Sequence, residues 1–468
     1  MHVKLVRYTL LTFLCFIVSA SVAREGTPFV TVDDGRFFLN GKEYRYVGTN
    51  LWYGAILASD GNGGDRVRLA KELDDLKALG VDNVRVLVGG DGRDSIPSHI
   101  APKLQTAPGV YDEKLLTGLD RLLVELERRD MRAVLYFNNA WEWSGGYGAY
   151  LDWVGFSGDV MSSDGSGKMK HFDKTPVPTI DGWWEYMQYV ANFITNDEAK
   201  RLAANHVRNI VTRVNSITQQ PYSTSKAIMA WEIANEPRCF INDSLHRAKF
   251  VEWIDSQSRM IKGLDPNHLV TTGSEGKHGC EESTELFRAI HTLPCIDYAC
   301  IHIWPNNWGW IGQFNQNYDA DKTIAEGMPD PIVENVRAAC DSTQAYIEEA
   351  YDVLNTPRAG EKTFRRRPVV LEEFGYPRDR FLFTPGSPTS GRDEYYRYVF
   401  SVIYHTGKIA GCNFWGWGGS ANVRHTIWQR WDDYVCDPAQ EEQGLNSVFA
   451  SDTTTLNVIR EFAETLKR

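Results

Sequence analysis

Two acidic side chains follow buried, strand-like runs at distant points of the chain. The first run, residues 227–237, ends in Asn-Glu-Pro and carries Glu236. Proline has no N–H for a strand ladder and biases the preceding residue towards extended geometry, which predicts Glu236 at the carboxyl tip of a strand. The second run, residues 367–375, ends in Leu-Glu-Glu-Phe-Gly with Glu372 and Glu373. Two carboxyl groups, one protonated and one ionised, are what hydrolysis of a glycosidic bond requires.

These two strands belong to a regular alternation of strands and helices. Hydrophobic patterning predicts eight strands, at 45–50, 81–88, 132–138, 227–235, 269–273, 298–304, 368–374 and 409–415. It predicts intervening helices at 66–79, 113–129, 197–215, 245–263, 333–354, 392–405 and 454–466. This order predicts an α/β fold, a (β/α)₈ TIM barrel forming a single domain with long βα loops. An open doubly wound sheet is the structural alternative, and it is disfavoured because no Gly-rich phosphate turn follows the first strand.

In such a barrel, chemistry is expected where the strands end and the following loops begin. Polar and aromatic residues concentrate at those points, whereas the strand interiors are rich in Val, Ile, Leu and Ala. The strand ends carry Asn50, Trp52, Arg85, Asn138, Asn139, Asn235, Glu236, His302, Trp304, Glu373 and Trp415. Consecutive strand residues point to opposite faces, so only one of Glu372 and Glu373 is expected to face the barrel axis. Glu232, four residues before Glu236, is expected to be a buried acid bonded within the barrel.

The N-terminus resembles an export signal. Lys4 and Arg7 precede an apolar run at 10–18, and a Ser-Val-Ala sequence at 21–23 gives a small-x-small cleavage site. We therefore predict a cleavable signal peptide at 1–23, a catalytic domain at 24–468, and a secreted or periplasmic destination. No Ser/Gly-rich linker or low-complexity tract divides the remainder, which predicts one domain. We also expect a monomer.

Composition narrows the range of partners. The formal net charge of −11 argues against nucleic acid or an anionic membrane as a partner. Fifteen tryptophans suit stacking on a neutral, flat-faced ligand, although most such rings are expected in the core. Beyond the signal, seven cysteines allow one or two disulfides of unknown pairing and leave at least one free thiol. No Cys-x-x-Cys pair or other metal-ligand spacing occurs, so we predict neither a metal nor a cofactor.

Several ordered motifs resemble those of glycoside hydrolase family 5. They are Asn-Val-Arg-Val at 83–86, Trp-Glu-Ile-Ala-Asn-Glu-Pro at 231–237, His-Ile-Trp-Pro at 302–305, Leu-Glu-Glu-Phe-Gly at 371–375 and Asn-Phe-Trp-Gly-Trp-Gly-Gly at 413–419. Gly-Thr-Asn-Leu-Trp-Tyr-Gly at 48–54, and Asn138-Asn139 followed by Trp141, resemble the β-mannanase branch. The resemblance runs through nearly all of the chain after the signal. It implies a retaining hydrolase of β-1,4-mannosidic bonds acting on mannan or manno-oligosaccharides, without a cofactor.

The resemblance also implies roles for individual residues. Glu236 would be the general acid/base and Glu373, before Phe-Gly, the nucleophile. Arg85 is expected to pair with Glu373 and keep it ionised, because a nearby cation lowers a carboxyl pKa. Expected substrate-binding residues are Trp52, Arg85, Asn139, Trp141, Asn235, His302, Trp304 and Trp415, with Trp308 a further subsite candidate.

Four of these positions carry specific expectations. Asn235 would bond the sugar 2-hydroxyl, His302 would orient the acid/base, and Trp415 would form the sugar platform. Two residues after this histidine, family members commonly have a Tyr that contacts the nucleophile. This chain has Trp304 instead, whose indole can donate a hydrogen bond but not accept one.

The sequence is compatible with both endo and exo cleavage. A long loop from 420 to about 446 follows the eighth strand, and loops of this length in a compact barrel are usually functional. It either lengthens the cleft, giving an endo-mannanase, or closes one end of it, giving an exo-β-mannosidase. The loop between 141 and 184 allows the same two outcomes. We favour endo action. A β-1,4-glucanase of the same fold is an alternative, and a non-catalytic carbohydrate-binding barrel is disfavoured because both carboxylates are present.

Overall fold

A computed structural model describes residues 27–97, 99–311 and 325–467. Its centre is a sheet of eight parallel strands, all buried, which confirms the predicted (β/α)₈ barrel. The strands are β1 (Tyr46–Asn50), β2 (Asn83–Leu87), β3 (Arg132–Tyr136), β4 (Ile228–Glu232), β5 (Leu269–Thr271), β6 (Ala299–Ile303), β7 (Val369–Phe374) and β8 (Gly411–Phe414). The predicted signal peptide lies outside the described residues.

The strand order is β5-β4-β3-β2-β1-β8-β7-β6, which leaves a seam between β5 and β6. Hydrogen bonds just outside the regular ladder close this seam. The Asp297 N–H donates to the Val270 carbonyl at 2.9 Å, and the Thr271 hydroxyl donates to the Tyr298 carbonyl at 3.0 Å. The barrel is therefore nearly continuous, and β4 and β7 face each other across its mouth.

In the described part of the chain, eight longer helices surround the strands. They are α1 (Arg66–Ala78), α2 (Glu113–Arg128), α3 (Asp197–Val211), α4 (Ser244–Leu264), α5 (Thr284–His291), α6 (Val336–Asn355), α7 (Ser390–Thr406) and α8 (Thr453–Leu466). Side chains at the N-caps satisfy the first free amides of the first five, as when Asp65 accepts from the Arg68 N–H at 2.8 Å. Helix α5 was not predicted, because its eight residues give too short a periodic pattern.

The loops at the carboxyl ends hold further short elements. Between β3 and α3 the chain forms helices at Gly146–Trp153, Pro178–Asp181, Trp183–Val190 and Asn192–Thr195, together with a hairpin of Gly158–Met161 and Met169–Phe172. The long aromatic loop predicted there is thus partly helical. At the opposite end, the hairpin of Thr31–Asp33 and Arg36–Leu39 packs Phe37 against the apolar barrel floor. The polar end of the barrel is therefore the carboxyl end.

All seven cysteines that the structure describes are unpaired, so the expected disulfides are not formed. Burial raises the pKa of most of these thiols, and it raises that of Cys412 to about 12. Buried, protonated thiols act as small apolar side chains rather than nucleophiles. Within the described residues, no helix is both long enough and apolar enough to cross a membrane.

Candidate active site

The loops and strand ends at the barrel mouth bring Glu236 and Glu373 together. A carboxylate oxygen of each lies within 4.8 Å of the other, and both residues line a cavity of ≈ 340 Å³. The predicted convergence of two distant acidic residues is confirmed. Retaining glycosidases hold their carboxyl groups about 5 to 5.5 Å apart, whereas inverting enzymes need about 6.5 to 9.5 Å to admit a water molecule. The separation here fits the retaining geometry.

Strand β7 carries a bulge at its acidic end. Against β6, Ile301 pairs with Leu371 but His302 pairs with Glu373, so Glu372 is an extra residue in the ladder. The expectation that strict alternation turns only one of the two acids towards the axis is therefore wrong. The Glu372 carboxylate lies 3.9 Å from the Arg85 guanidinium, and Glu373 contacts the same guanidinium directly.

Glu372 and Glu373 nevertheless occupy different depths. Glu372 is fully buried and accepts a hydrogen bond from the Tyr298 hydroxyl at 3.4 Å. Glu373 lines the cavity. The bulge therefore stacks one acid behind the other, and only Glu373 is placed to meet a ligand.

Glu236 reaches the cavity by a different route. Strand β4 ends at Glu232, and Glu236 follows in the loop with φ = +50°. The expectation of extended geometry before Pro237 is wrong, because tertiary contacts override the local bias. The Glu236 N–H donates to the Gly273 carbonyl at 2.9 Å, and the Asn235 N–H donates to the Asn138 carbonyl at 2.8 Å. A left-handed conformation costs a non-glycine residue about 1–3 kcal/mol, so these neighbours hold the carboxyl in a strained position.

Neutral side chains hold the Glu236 carboxyl. The Trp141 indole N–H donates to one oxygen, and Nδ1 of His302 lies 2.8 Å from the other. Burial lowers the pKa of His302 to about 4, so its imidazole is uncharged at neutral pH. These contacts orient the carboxyl without adding a positive charge.

A charged side chain holds Glu373. Arg85 donates one N–H to its Oε1, and Arg85 also bonds Glu232 at 2.5 Å and the Asn235 amide oxygen at 2.7 Å. The expected Arg85–Glu373 pair is present, and Glu232 is buried within the barrel as predicted. The Trp304 indole N–H donates to the second Glu373 oxygen at 3.1 Å. Trp304 therefore contacts this carboxylate at the position where family members commonly have Tyr.

The surroundings separate the two carboxyls electrostatically. Burial raises the pKa of Glu236, and the Arg238 guanidinium, which is not in direct contact with it, opposes that shift. Burial also raises the pKa of Glu373, but the Arg85 guanidinium opposes that shift. Two carboxylates this close in a low-dielectric pocket disfavour simultaneous ionisation. Glu373 contacts the guanidinium directly, whereas the hydrogen-bond partners of Glu236 are uncharged, and this difference in contacts favours the negative charge on Glu373.

Glu236, His302 and Glu373 also present donor atoms close enough together to ligate an ion. The Arg85 guanidinium already supplies positive charge to Glu373, so a metal cation here would face a fixed like charge. The arrangement suits acid–base and nucleophilic chemistry by the two carboxyls themselves.

The predicted substrate-binding residues divide into two groups. Four of them line the cavity: Trp141, Asn235, Trp304 and Trp415. The other four lie behind its wall: Trp52, Arg85, Asn139 and His302. The Trp304 and Trp415 rings meet edge to face with centroids 5.5 Å apart. This pair forms one wall of the cavity beside Glu373.

Trp52 and Asn139 support the cavity from behind. Trp52 is only 1% exposed; its indole N–H donates to the Cys436 carbonyl at 2.6 Å, and its ring packs 5.2 Å from that of Trp143. The expectation that Trp52 contacts substrate is not met by this position. The Asn139 side-chain amide oxygen accepts one hydrogen bond from the Asn235 side-chain amide at 3.2 Å and another from the backbone N–H of Trp141 at 3.0 Å. Asn139 therefore fixes two residues that do line the cavity.

Several lining residues were not identified from the sequence. They are Trp143, Trp183, Met187, Arg238, Glu275, His278, Asn307, Pro438, Gln440 and Glu441. Arg238 follows Glu236 by two residues, and that proximity was an available signal. Pro438, Gln440 and Glu441 come from the loop after β8, whose length indicates a function without indicating which of its residues face the cavity. Burial raises the pKa of Glu441 to about 8, so it presents a neutral carboxyl to the cavity at neutral pH.

Comparison with known proteins places this chain among sugar hydrolases. A family model described as GH family 5 beta-mannosidase-like matches residues 27–468. A putative mannan endo-1,4-beta-mannosidase 4 from Arabidopsis thaliana is 28% identical over 96% of both chains. Mannan endo-1,4-beta-mannosidase 1 from Solanum lycopersicum is 27% identical over 86% of both chains.

Solved structures show the same relationship. A glycoside hydrolase family 5 mannosidase from Rhizomucor miehei, in complex with mannosyl-fructose, has a TM-score of 0.76 and 28% identity, over 94% of this chain and 97% of the other. An endo-1,4-beta-mannanase from the same organism has a TM-score of 0.61 at 21% identity, over 94% and 99%, and supports the fold alone. With a family model matched over nearly its whole length, the chain belongs to the beta-mannosidase-like branch of glycoside hydrolase family 5 and is a glycoside hydrolase.

Proposed function

We propose that this protein is a retaining endo-β-1,4-mannanase that acts on mannan, galactomannan or glucomannan. The observation that carries the proposal is the meeting of Glu236 and Glu373 within 4.8 Å in one cavity, each in a different electrostatic setting. The names of the curated relatives support β-1,4-mannosidic bonds as the target. The cavity has no unpaired basic clamp among its described lining residues, which suits a neutral polysaccharide.

Glu236 acts as general acid in the first step. Its burial favours the protonated form, and the pKa stays raised although the Arg238 guanidinium and the Trp141 hydrogen bond both oppose this shift. The proton passes to the departing glycosidic oxygen as the bond to the anomeric carbon breaks. Glu236 then becomes ionised and serves as the base for the second step.

Glu373 attacks the anomeric carbon in the same step and forms a glycosyl-enzyme ester. The Arg85 and Trp304 donors hold its carboxylate ionised and aligned. In the second step, water loses a proton to Glu236 and displaces Glu373 from the sugar. Two displacements at one carbon restore its β configuration.

Asn235 and Trp415 position the sugar at the reacting centre. The Asn235 amide oxygen is occupied by Arg85 at 2.7 Å, and its amide nitrogen donates to Asn139 at 3.2 Å. The amide is therefore fixed at the cavity wall, where it can meet the 2-hydroxyl. The flat Trp415 ring offers an apolar surface to the C–H face of the pyranose.

Exo-β-mannosidase action is the second candidate, and two observations favour it. Pro438, Gln440 and Glu441 bring the loop after β8 onto the cavity wall, which can shorten the cleft at one end. The family 5 mannosidase from Rhizomucor miehei also has the higher of the two TM-scores. Endo action remains the primary proposal because a second, aromatic groove continues from the cavity.

Two measurements test the reaction and its mode. Proton NMR of freshly cleaved manno-oligosaccharides is expected to show β-mannose ends first; early α ends would contradict the retaining mechanism. On galactomannan, a rapid fall in viscosity with mixed oligosaccharides supports endo action, whereas steady release of mannose alone supports exo action. Carboxymethyl cellulose serves as the control substrate, and preferential cleavage of it would indicate the β-1,4-glucanase alternative.

We also propose that the protein is exported after cleavage near residue 23 and works as a monomer. The charged, apolar and small-residue segments at the N-terminus support export. N-terminal sequencing of secreted protein is expected to begin near residue 24, and light scattering is expected to give the mass of one chain. Retention of the protein inside the cell would contradict the export proposal.

A further inference from the structure

A second groove continues from the active-site cavity. It has a volume of ≈ 650 Å³ and shares His278 and Trp308 with that cavity. Beyond them it is lined by Trp310 and by one face of α6, where Ser342 and Tyr346 lie. The sharing of two lining residues makes the groove an extension of the cleft rather than a separate pocket.

The aromatic rings of the groove are held in fixed positions. Trp308 and Trp310 meet edge to face with centroids 5.0 Å apart, and their rings lie 5.2 Å and 6.0 Å from that of Tyr346. The Tyr346 hydroxyl donates to the Glu275 carbonyl at 2.8 Å, which anchors this support to the loop after β5. Both indoles are half-buried, so each keeps part of its surface open to a ligand. Rigid, partly exposed indoles are suited to stacking on sugar rings.

The polar groups of the groove are largely neutralised in pairs. Lys277 bonds Glu349 at 2.6 Å, and Nδ1 of His278 lies 2.5 Å from Glu282. Such pairs offer hydrogen bonds to hydroxyl groups without creating a field that selects a charged ligand. A neutral, hydroxyl-rich chain therefore matches the groove better than an acidic or basic one.

Contacts connect the groove with Glu236, in addition to the 2.9 Å bond from the Trp308 N–H to the Trp304 carbonyl on the Glu373 side. Trp141, which bonds Glu236, lies under the Arg238 guanidinium at 5.4 Å, and Arg238 bonds Glu275 at 2.6 Å. His278, which follows Glu275 by three residues, lies at the entrance of the groove. Because Glu236 protonates the departing oxygen, the leaving part of the substrate lies on this side.

We propose that this groove binds the distal sugar units of the leaving portion of a neutral β-linked glycan, with Trp310 as their platform. The inference rests on the proposed function and deepens it. It makes the enzyme sensitive to chain length, because a short substrate fills the cavity only and a long one also occupies the groove. This preference belongs to a depolymerase rather than to an enzyme that trims terminal units.

Trp310→Ala tests the groove through that dependence. We expect kcat/KM for mannohexaose to fall about tenfold, while kcat/KM for p-nitrophenyl β-mannobioside stays unchanged. Trp310→Phe, which keeps an aromatic ring, is expected to retain most of the activity on the longer substrate. Tyr404→Ala is the matched control, since Tyr404 is a 46% exposed aromatic residue of α7 outside both cavities.

A blocking variant keeps the test independent of folding. Ala345 is exposed on the groove face of α6, so Ala345→Arg fills the groove without removing a packed ring. It is expected to reproduce the selective loss on mannohexaose. If both variants leave the ratio of long to short substrate unchanged, or lower both rates equally, the groove proposal is overturned. Wild-type protein without activity on any β-mannoside would overturn the proposed function instead, so the two failures are distinguishable.

Discussion

The two sides of the active site deliver a carboxyl group by different means. On one side, β7 carries Glu373 within the strand, where a bulge turns it to the cavity and Arg85 binds it. On the other side, β4 has already ended, and Glu236 stands in a loop with a left-handed backbone and uncharged partners. The rigid, charged side suits the group that must remain ionised. The uncharged side suits the group that must hold and release a proton.

This contrast shows that a glutamate can serve as a nucleophile or as a general acid, depending on the side chains that contact its carboxyl group. A guanidinium in direct contact lowers the pKa of a buried carboxyl through its charge, whereas an indole donor lowers it through a single hydrogen bond and a neutral imidazole adds no charge. Substitutions on the charged side should therefore affect the ionised nucleophile, and substitutions on the other side should affect proton transfer.

Glu373→Ala is expected to have the largest effect. Removing the nucleophile eliminates the covalent intermediate, so kcat on mannan should fall by about 10⁴-fold or more. Activated aryl mannosides should not restore the rate, because attack on the anomeric carbon is lost whatever the leaving group. The measurement is kcat for both substrates, with Glu464→Ala on the exposed face of α8 as the control. Normal turnover by Glu373→Ala would remove Glu373 from its assigned role.

The sequence predicted the barrel well because strand and helix periods are local properties. All eight predicted strands overlap the observed ones, and the two acidic tips converge as expected. It did not predict the way each acid is presented. The bulge at Glu372 and the left-handed Glu236 depend on hydrogen bonds to residues from neighbouring strands, such as Gly273, and no local pattern encodes those contacts.

The walls of the cavity were less predictable than its acids. Trp52 and Trp415 both follow barrel strands, yet Trp415 lines the cavity and Trp52 packs behind Trp143. The position of a tryptophan in the sequence predicts the end of the barrel on which its ring lies, but not whether the ring lines the cavity or packs behind the cavity wall. That depth depends on contacts with the other loops, as the Trp52 bond to the Cys436 carbonyl in the loop after β8 illustrates.

Glu236→Ala should have the second-largest effect and should depend on the leaving group. On mannan, kcat is expected to fall about 10²- to 10⁴-fold, because the departing oxygen is no longer protonated. With a dinitrophenyl leaving group, which departs without protonation, formation of the intermediate should stay near the wild-type rate. Burst-phase kinetics measures that step directly. Equal loss on both substrates would contradict the assignment of Glu236 as the acid.

Arg85→Met should disturb the charged side selectively. The guanidinium lowers the pKa of Glu373, so its removal raises that pKa, and the acid limb of the kcat/KM profile should move to higher pH. The variant also leaves Glu232 and Glu373 buried without their cation, which should lower the free energy of unfolding at pH 7 by about 3–5 kcal/mol.

The stability of Arg85→Met has a defined pH dependence. With carboxyl pKa values higher in the folded than in the unfolded state, folding takes up protons, so stability should fall as pH rises and recover in acid. Chemical denaturation at several pH values measures this slope. A variant with an unshifted acid limb would show that Arg85 only supports the fold.

Trp304→Phe should give the smallest change and sharpen the comparison most. The variant keeps a ring beside Trp415 but removes the N–H that reaches Glu373 at 3.1 Å. Loss of one hydrogen bond to a charged group should lower kcat/KM about tenfold and move the acid limb upward by less than Arg85→Met does. Trp304→Tyr places a hydroxyl donor on a similar ring and should recover part of both. If Trp304→Phe shifted the basic limb of the pH profile instead, the indole would be acting on the protonated carboxyl, Glu236. The proposed division between the two carboxyls would then be wrong at Trp304, the position where family members commonly have Tyr.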